Sequence, residues 1–336
     1  MKPFFSILMI NYKGLKHLKE CLPSLKNQTF KDFEIIFVDN DSNDQSVAWV
    51  QNFLDQNKIS GKTMNSGANH GFAGGNNFGL PHCHGEWIFF LNNDTWLPPD
   101  TFQNLVNGIQ AHPNGRVFGP QMVQLAHPEL VDSAGDTLYT SGPSFQSYGE
   151  SILLPQFQGD YNITSVCAGA AIYHSSVLSE IGWFDEDFWL IFEDVDLSLR
   201  AQNAGYQIMM LSKAKIHHKG SASIGKTSNM ALYYGTRNIH WVRIKNYPTS
   251  TLIKYALYVG FCNLFAIKGA FIRGQGFLWF KAKCDALKMY PTMWKKRQTT
   301  RNHQSLNGHE FEKLLRKGWF VERVFHHARG GDKKKI

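Results

Sequence analysis

The 336-residue chain is 43% hydrophobic and 18% charged, with a formal net charge of +8. That apolar share supports a substantial core and excludes disorder as the main state, since disordered chains are poorer in apolar residues and richer in charge. The charge is unevenly spread: residues 1–250 carry 17 Lys/Arg against 22 Asp/Glu, and residues 251–336 carry 18 against 5.

Phe4–Ile10 reads as a buried strand, and Leu15–Lys26 as a helix with Leu15, Leu18, Leu22 and Leu25 on one face. No small-residue cleavage site follows the apolar run at Met1–Ile10, so a first strand is preferred to a signal peptide and a cytoplasmic location is expected. Phe33–Val38 is a second strand, ending in the polar run Asp39-Asn40-Asp41-Ser42-Asn43-Asp44. A helix over 45–57 and a short strand near 58–64 follow, then a Gly/Asn-rich stretch, 65–79, which reads as a loop. Glu86–Leu91 is another strand, closed by Asn92-Asn93-Asp94. This alternation predicts a mostly parallel sheet with helices on both faces. Ligands of such sheets bind at the carboxyl ends of the strands, where both polar clusters fall.

Residues 120–165 read as short antiparallel strands or a flap, with turn signals at Ser141-Gly142-Pro143 and Gly159-Asp160. Ser165–His174 is a small-residue strand, Trp183–Arg200 an acidic cluster leading into a helix, and Met230–Asn246 a helix. The Gly-Gly-Asp-Lys-Lys-Lys run at 330–335 reads as frayed. There is no internal repeat. The five Cys are far apart and form no CxxC pair, which reads as reduced thiols and neither disulfides nor a zinc site.

Several clusters carry chemistry. Asp39 ends a strand, where its carboxylate can accept a hydrogen bond from the imide N–H or a ribose hydroxyl of a nucleotide. It can equally cap the next helix, as can Asp41, Ser42 or Asp44. The Gly-rich stretch 69–77 suits backbone lying close to a ligand, but it matches neither a P-loop nor GxGxxG. Asp94 projects at a sheet edge and can be one of the one or two carboxylates that a hard cation on a diphosphate requires; a helix-capping role is the alternative. Glu193, Asp194 and Asp196 open a helix, where acids are favourable, yet Trp183, Phe184, Phe188, Trp189 and Phe192 surround them. Half-buried carboxylates gain proton affinity and can act as a general base. His217 and His218 end a further strand and must face opposite ways, so at most one of them serves a given site.

In this order the motifs ILMINYKG, VDNDSND, NHGFAGGNNFG, FFLNNDT, CAGAA, WFDEDFWLIFEDVDLSLR, HHKGSAS and YYGTRN resemble the inverting family 2 nucleotide-sugar glycosyltransferases, closest to bacterial rhamnosyltransferase-like members. The resemblance spans about residues 4–245. It implies a GT-A fold, an α/β Rossmann-like sheet with a nucleotide-sugar-binding half at 1–120 and an acceptor-binding, catalytic half at 121–248. Carried onto matching positions, it implies nucleotide-sugar contacts at Asn11, Asp39, Asn69, Gly71, Asn76, Asn93 and Asp94. Asp194 matches the catalytic base, with Glu193 as the next candidate. Asp94 matches the last acid of the family's D-x-D motif, which reads Asn92-Asn93-Asp94 in this chain. With His218 it would hold a divalent Mn2+ or Mg2+, and Trp183 and Arg237 are candidates for acceptor or phosphate contacts. The Q-x-x-R-W motif of processive synthases is absent from the sequence, which suggests one transfer per acceptor.

The expected activity is transfer of one sugar from a UDP- or dTDP-sugar, dTDP-rhamnose foremost, to a saccharide or lipid-linked saccharide in surface polysaccharide synthesis. A non-catalytic glycan- or lipid-carrier-binding protein on the same fold is the alternative. Residues 249–336 read as a basic, aromatic helical region that associates with an anionic membrane surface from the cytoplasmic side. Its longest uncharged run, Tyr255–Ile267, has 13 residues, short of the roughly 20 that a spanning helix needs. Nucleic acid is not expected as a partner, because no recognised nucleic-acid motif accompanies the charge.

Overall fold

The computed structural model describes residues 2–140, 144–146, 158–220, 228–303 and 305–317. The turn signal at 141–143, Ser221-Ala222-Ser223 and the 330–335 run lie outside these residues. Strand and helix alternate through the first half as β1 (Phe5–Asn11), α1 (Leu15–Lys26), β2 (Phe33–Asp39), α2 (Ser46–Asn57), β3 (Gly61–Asn65), α3 (Gly71–Gly79), β4 (Trp87–Leu91), β5 (Thr95–Trp96) and α4 (Thr101–Ala111). Then come β6 (Val117–Gln124) and four short strands: β7 (Val131–Ser133), β8 (Asp136–Tyr139), β9 (Ser144–Gln146) and β10 (Tyr161–Ile163). β11 (Ala170–His174), α5 (Ser175–Ile181), α6 (Glu193–Asn203), β12 (Ile208–His218) and α7 (Asn229–Asn246) complete the body. The rest is α8 (Thr249–Lys254), α9 (Ala256–Ile272), α10 (Gly276–Lys288), α11 (Tyr290–Asn302), α12 (Gly308–Lys313) and β13 (Leu315–Arg316).

The main sheet runs β10-β12-β6-β11-β4-β1-β2-β3, with β5 paired to β12 and β7 to β6. The stretch β4-β1-β2-β3 is parallel throughout, as the alternation predicts. Beyond β4 the prediction of a mostly parallel sheet fails, because β11 enters antiparallel to both β4 and β6. The alternation rule assumes a helical crossover between successive strands, whereas between β6 and β11 the described residues form the short strands β7, β8, β9 and β10. β11 then inserts between β4 and β6 in the opposite direction. β12, reached through α5 and α6, is again parallel to β6.

Helices cover both faces of the sheet, as expected. Leu18, Leu22 and Leu25 of α1 and Phe102 and Leu105 of α4 pack with Phe5, Ile7, Phe37 and Phe89. On the other face Ala73 of α3, Val177 of α5, and Leu197 and Ala201 of α6 meet Leu8, Ile36, Val38 and Phe90. Burial on both faces accounts for strands that are apolar runs with little alternation.

Helix α3 overturns the loop reading where it covers residues 71–79, while 66–70 lie in neither helix nor strand. Glycine inside a helix costs about 0.5–1 kcal/mol relative to alanine, but this helix needs its smooth side. A Cβ on Gly75 would lie 2.7 Å from Asn40 Nδ2 and 2.9 Å from Ile10 Cγ2. The glycines thus let α3 lie against the ends of β1 and β2. Gly75→Ala is expected to destabilise the fold by about 1–3 kcal/mol through overpacking. Thermal denaturation checks it, and an unchanged Tm would show that Asn40 yields without cost.

A third apolar cluster, with Phe188, Trp241, Met293 and Phe311, joins the α6–α7 side to α11 and α12. Buried Arg297 of α11 donates from Nη1 to the carbonyls of Ile244, at 2.7 Å, and Tyr247. Trp241 Nε1 donates to the Ala286 carbonyl of α10 at 3.1 Å. Much of the region after residue 248 is therefore packed onto the body, while α9 rests on α10 and shows its other side to solvent.

Candidate active site

At the carboxyl ends of β1, β2 and β4 lies a cleft of about 700 Å³. The 92–94 turn after β4 and the start of α1 form one wall; the start of α3 and the 189–194 segment form the other. Asn69, Gly71, Asn93, Asp94, Glu193 and Asp194 line it together, although they come from segments far apart in sequence. Lys13 and Lys16, which the sequence reading did not single out, bring cationic side chains to the same cleft.

Beneath the cleft floor Asp39 is 2% exposed and fully engaged. Its Oδ1 accepts from Asn11 Nδ2 at 2.7 Å and from Ser42 Oγ at 2.6 Å, and its Oδ2 accepts from the Ser42 amide at 2.8 Å. Asn11 in turn accepts from Asn93 Nδ2 at 2.6 Å, so one polar chain ties the end of β2 to the turn after β4. Asn76 is buried within α3, donating to the Phe72 carbonyl at 2.9 Å. Trp183 is exposed, and its carbonyl accepts from Arg200 Nη2 at 2.6 Å.

Asp94 stands beside His218, with Oδ1 3.2 Å from Nε2. On the other side of the ring, His218 Nδ1 lies 2.7 Å from Asp132 Oδ2. Asp132 gives no sequence signal, because it sits in an irregular stretch 86 residues from its partner. Strand pairing brings the two together: β7 lies on β6, and β6 on β12. His217 faces away and packs against Trp96, as the alternation rule requires. Burial opposes a proton on His218, but the bonds to Asp132 and Asp94 outweigh it and raise the imidazole to about 10. Burial likewise opposes ionisation of Asp94, and the imidazolium beside it prevails, holding the carboxyl below its ordinary value. This corner of the cleft demands positive charge.

The opposite wall behaves in the reverse sense. Burial raises the proton affinity of Asp194, only partly offset by the amides of Ala168, 3.1 Å from Oδ2, and Val195, 2.8 Å from Oδ1. Burial and then the Asp194 charge push Glu193 well above the usual carboxylate range, and its Oε2 is buried with no hydrogen-bond partner. Asp136, also unforeseen, lines the cleft and is lifted to about 8 by burial and by Asp194.

Between about pH 4 and pH 8 the unfolded chain has therefore released the Asp136 proton while the folded chain retains it. Stability drains away as pH rises through that window. Asp136→Asn carries no such dependence. Its Tm is expected to exceed that of the wild type by at least about 2–4 °C at pH 8, with the gap closing toward pH 4. A variant less stable than the wild type at pH 8 would contradict a buried, proton-retaining Asp136.

The segment before Asp194 is held under strain. Trp189, Ile191 and Phe192 all have positive φ, at 62°, 68° and 72°, a conformation that costs a non-glycine residue, and above all a β-branched one. Asn238, fully buried, fastens this segment by donating to the carbonyls of Phe188, Leu190 and Ile191 at 3.0, 2.8 and 2.6 Å. Arg237 donates to the carbonyls of Asp187 and Phe188 at 3.0 and 2.9 Å, and its guanidinium lies 4.1 Å from the centre of the Trp241 ring. The Trp189 carbonyl accepts from the amides of Phe72 and Ala73 at the start of α3. The YYGTRN motif thus works as a clamp on the wall that carries Asp194, with Asn238 the member that sequence reading missed.

The profile of glycosyl transferase family 2 matches residues 6–182. An uncharacterized glycosyltransferase of Rickettsia typhi is 24% identical over 238 residues, covering 68% of this chain and 67% of that protein. The poly(ribitol-phosphate) β-N-acetylglucosaminyltransferase TarS of Staphylococcus aureus is 27% identical over 154 residues, 42% of this chain but only 26% of TarS. The crystal structure of TarS residues 1–349 with UDP superposes at a TM-score of 0.58 and 18% identity, covering 100% of this chain and 94% of that one. A mannosyltransferase of Pyrobaculum calidifontis, solved with GDP-Man and Mn2+, gives a TM-score of 0.55 at 14% identity over 90% of this chain and 86% of that one. The chain belongs to glycosyl transferase family 2.

Proposed function

We propose that this family member is an inverting, non-processive glycosyltransferase of glycan biosynthesis, using a UDP- or dTDP-sugar and a saccharide or lipid-linked saccharide acceptor. One observation carries the reading: a single cleft holds Asp94, kept ionised, on one wall and Asp194, with raised proton affinity, on the other. Environments that push the proton affinities of two carboxyls apart are how one site separates charge stabilisation from proton transfer.

Asp194 takes the proton of the acceptor hydroxyl as its oxygen forms the new bond to the anomeric carbon. The bond from that carbon to the diphosphate oxygen breaks, and the nucleoside diphosphate leaves with the electron pair. One displacement with one base inverts the anomeric centre. The strained segment clamped by Asn238 and Arg237 holds the base in place, and Lys13 and Lys16 face the departing phosphates.

A divalent cation suits the opposite wall. Asp94 and His218 Nε2 converge there, and the two carboxylates around His218 already hold a positive charge in its place. Among the described residues no group of three or more ligand side chains is arranged for a metal. The protein would therefore supply two ligands, and diphosphate oxygens and water the rest. When bound, the cation neutralises charge on the leaving diphosphate. The Mn2+ recorded in the Pyrobaculum neighbour and the UDP bound by TarS support trying these first.

The test is a panel of UDP- and dTDP-sugars, dTDP-rhamnose included, incubated with the purified chain and Mn2+ or Mg2+. Release of nucleoside diphosphate and NMR of the product anomer are read out. Retained configuration would refute the single displacement. A chain that binds glycan but neither binds nor cleaves any sugar nucleotide would be a binding protein on this fold.

A further inference from the structure

Helix α9 reverses the usual distribution of a surface helix. Its buried residues are Val259, Cys262 and Ala270, whereas Leu257 is 90% exposed, Leu264 67% and Ile272 77%. At about 100° per residue, Leu257, Phe261, Leu264, Lys268, Phe271 and Ile272 fall on one stripe. The stripe continues into α10, where Phe277 is 82% exposed. Its orientation is fixed from behind. Asn263 accepts from Lys283 of α10 at 2.5 Å, and Gln275 in the α9–α10 turn donates to Asn229 at 2.9 Å.

Isolated exposed apolar side chains are ordinary, but a continuous stripe of large ones marks an interaction surface. Among the described residues no helix is long and apolar enough to cross a membrane, so this one could only lie along a surface. Charge selects the occupant. Lys268 sits in the middle of the stripe, Lys254 and Arg273 stand at its two ends, and the whole region after residue 250 is basic. In a dry interface with a second copy Lys268 would be stranded among apolar groups. In a headgroup layer its stem lies along the acyl boundary while its ammonium reaches lipid phosphate. We propose that α9 and the start of α10 form a docking face for an anionic lipid surface, such as the cytoplasmic leaflet of a cell membrane, lying in its headgroup region. This inference stands on the helix surface alone and does not depend on the proposed activity.

Co-sedimentation of the full chain with phosphatidylcholine vesicles, with and without phosphatidylglycerol, tests it. Binding is expected with phosphatidylglycerol at 0.1 M salt, and is expected to weaken at 1 M, as the screening length falls from about 10 Å to about 3 Å. Lys268→Ala should lower the partition constant about fivefold, and Leu264→Ser about tenfold or more. Both side chains are exposed, so Tm and nucleotide affinity should stay as in the wild type, which separates lost docking from lost folding. A full-length chain left in the supernatant at 0.1 M salt would refute the proposal, as would wild-type partitioning of Leu264→Ser. A concentration-dependent dimer in light scattering, dissolved by Leu264→Ser and indifferent to vesicles, would assign the face to a second copy.

Discussion

Asp194→Asn is expected to slow transfer about 10²–10⁴-fold, the usual cost of losing a general base, while sugar-nucleotide affinity stays near that of the wild type. The carboxylate is half-buried at the cleft and accepts two backbone amides, from Ala168 and Val195. An Asn side chain of the same shape can answer one of them with its oxygen but turns an N–H₂ toward the other, so a modest drop in Tm should accompany the loss. Affinity is the discriminating quantity, because the substitution leaves Asp94 and Lys13, the proposed diphosphate end of the cleft, untouched. Glu193 makes the assignment falsifiable. It is buried and holds its proton well above the usual range, and it has an oxygen with no partner. Burial and the neighbouring Asp194 charge both favour its protonated form. Glu193→Gln should leave most of the turnover. If instead Asp194→Asn turns over normally and Glu193→Gln does not, the base is Glu193. With raised proton affinity at Asp194, kcat/KM should fall as pH drops below a midpoint above the ordinary carboxylate range, and Asp194→Asn should lose that limb.

What could be read from the sequence follows from what each signal depends on. β1, β2 and β4 are legible because both faces of the sheet are covered, so each strand is an apolar run, broken inside only by Ser6 in β1 and Glu34 in β2. α1 is legible because its leucines recur at helical spacing. Asp94 and Asp194 are legible because each acid interrupts apolar bulk at the end of an element. α3 is not, since propensity argues against a glycine-rich helix and only the proximity of Asn40 and Ile10 reveals why side chains are excluded there. The register that sets Asp132 against His218 is a property of three paired strands and leaves no local trace. Arg237 was legible as a motif member, but not its direction. Its guanidinium goes to backbone carbonyls and the Trp241 ring, contacts that depend on the strained path of residues 189–192. Asp39 likewise marks the end of a strand, while its saturation by Asn11 and Ser42 exists only once β1 and β2 are paired.

The Asp94–His218–Asp132 line makes the other large prediction. Asp94→Ala is expected to remove the gain in UDP or dTDP affinity that Mn2+ gives the wild type, and to change affinity little in EDTA. With Asn at 92 and 93, Asp94 is the sole carboxylate of its turn, and it is the residue of this line that reaches the cleft wall directly. Asp132 acts one step back. It fixes the His218 ring through Nδ1, leaving Nε2 aimed toward Asp94, and carboxylates that orient a ligating histidine are worth about 10–100-fold in metal affinity. Asp132→Asn should thus reduce, without abolishing, the Mn2+-dependent gain, and free Mn2+ measured by electron paramagnetic resonance should rise to match. Calorimetric titration of the nucleotide with and without metal separates the outcomes. Equal losses for Asp94→Ala in Mn2+ and in EDTA would mean that the Asp94–His218 pair only props the turn after β4. Loss in Mn2+ alone, graded from Asp94→Ala to Asp132→Asn, is the pattern that a cation held at this wall requires.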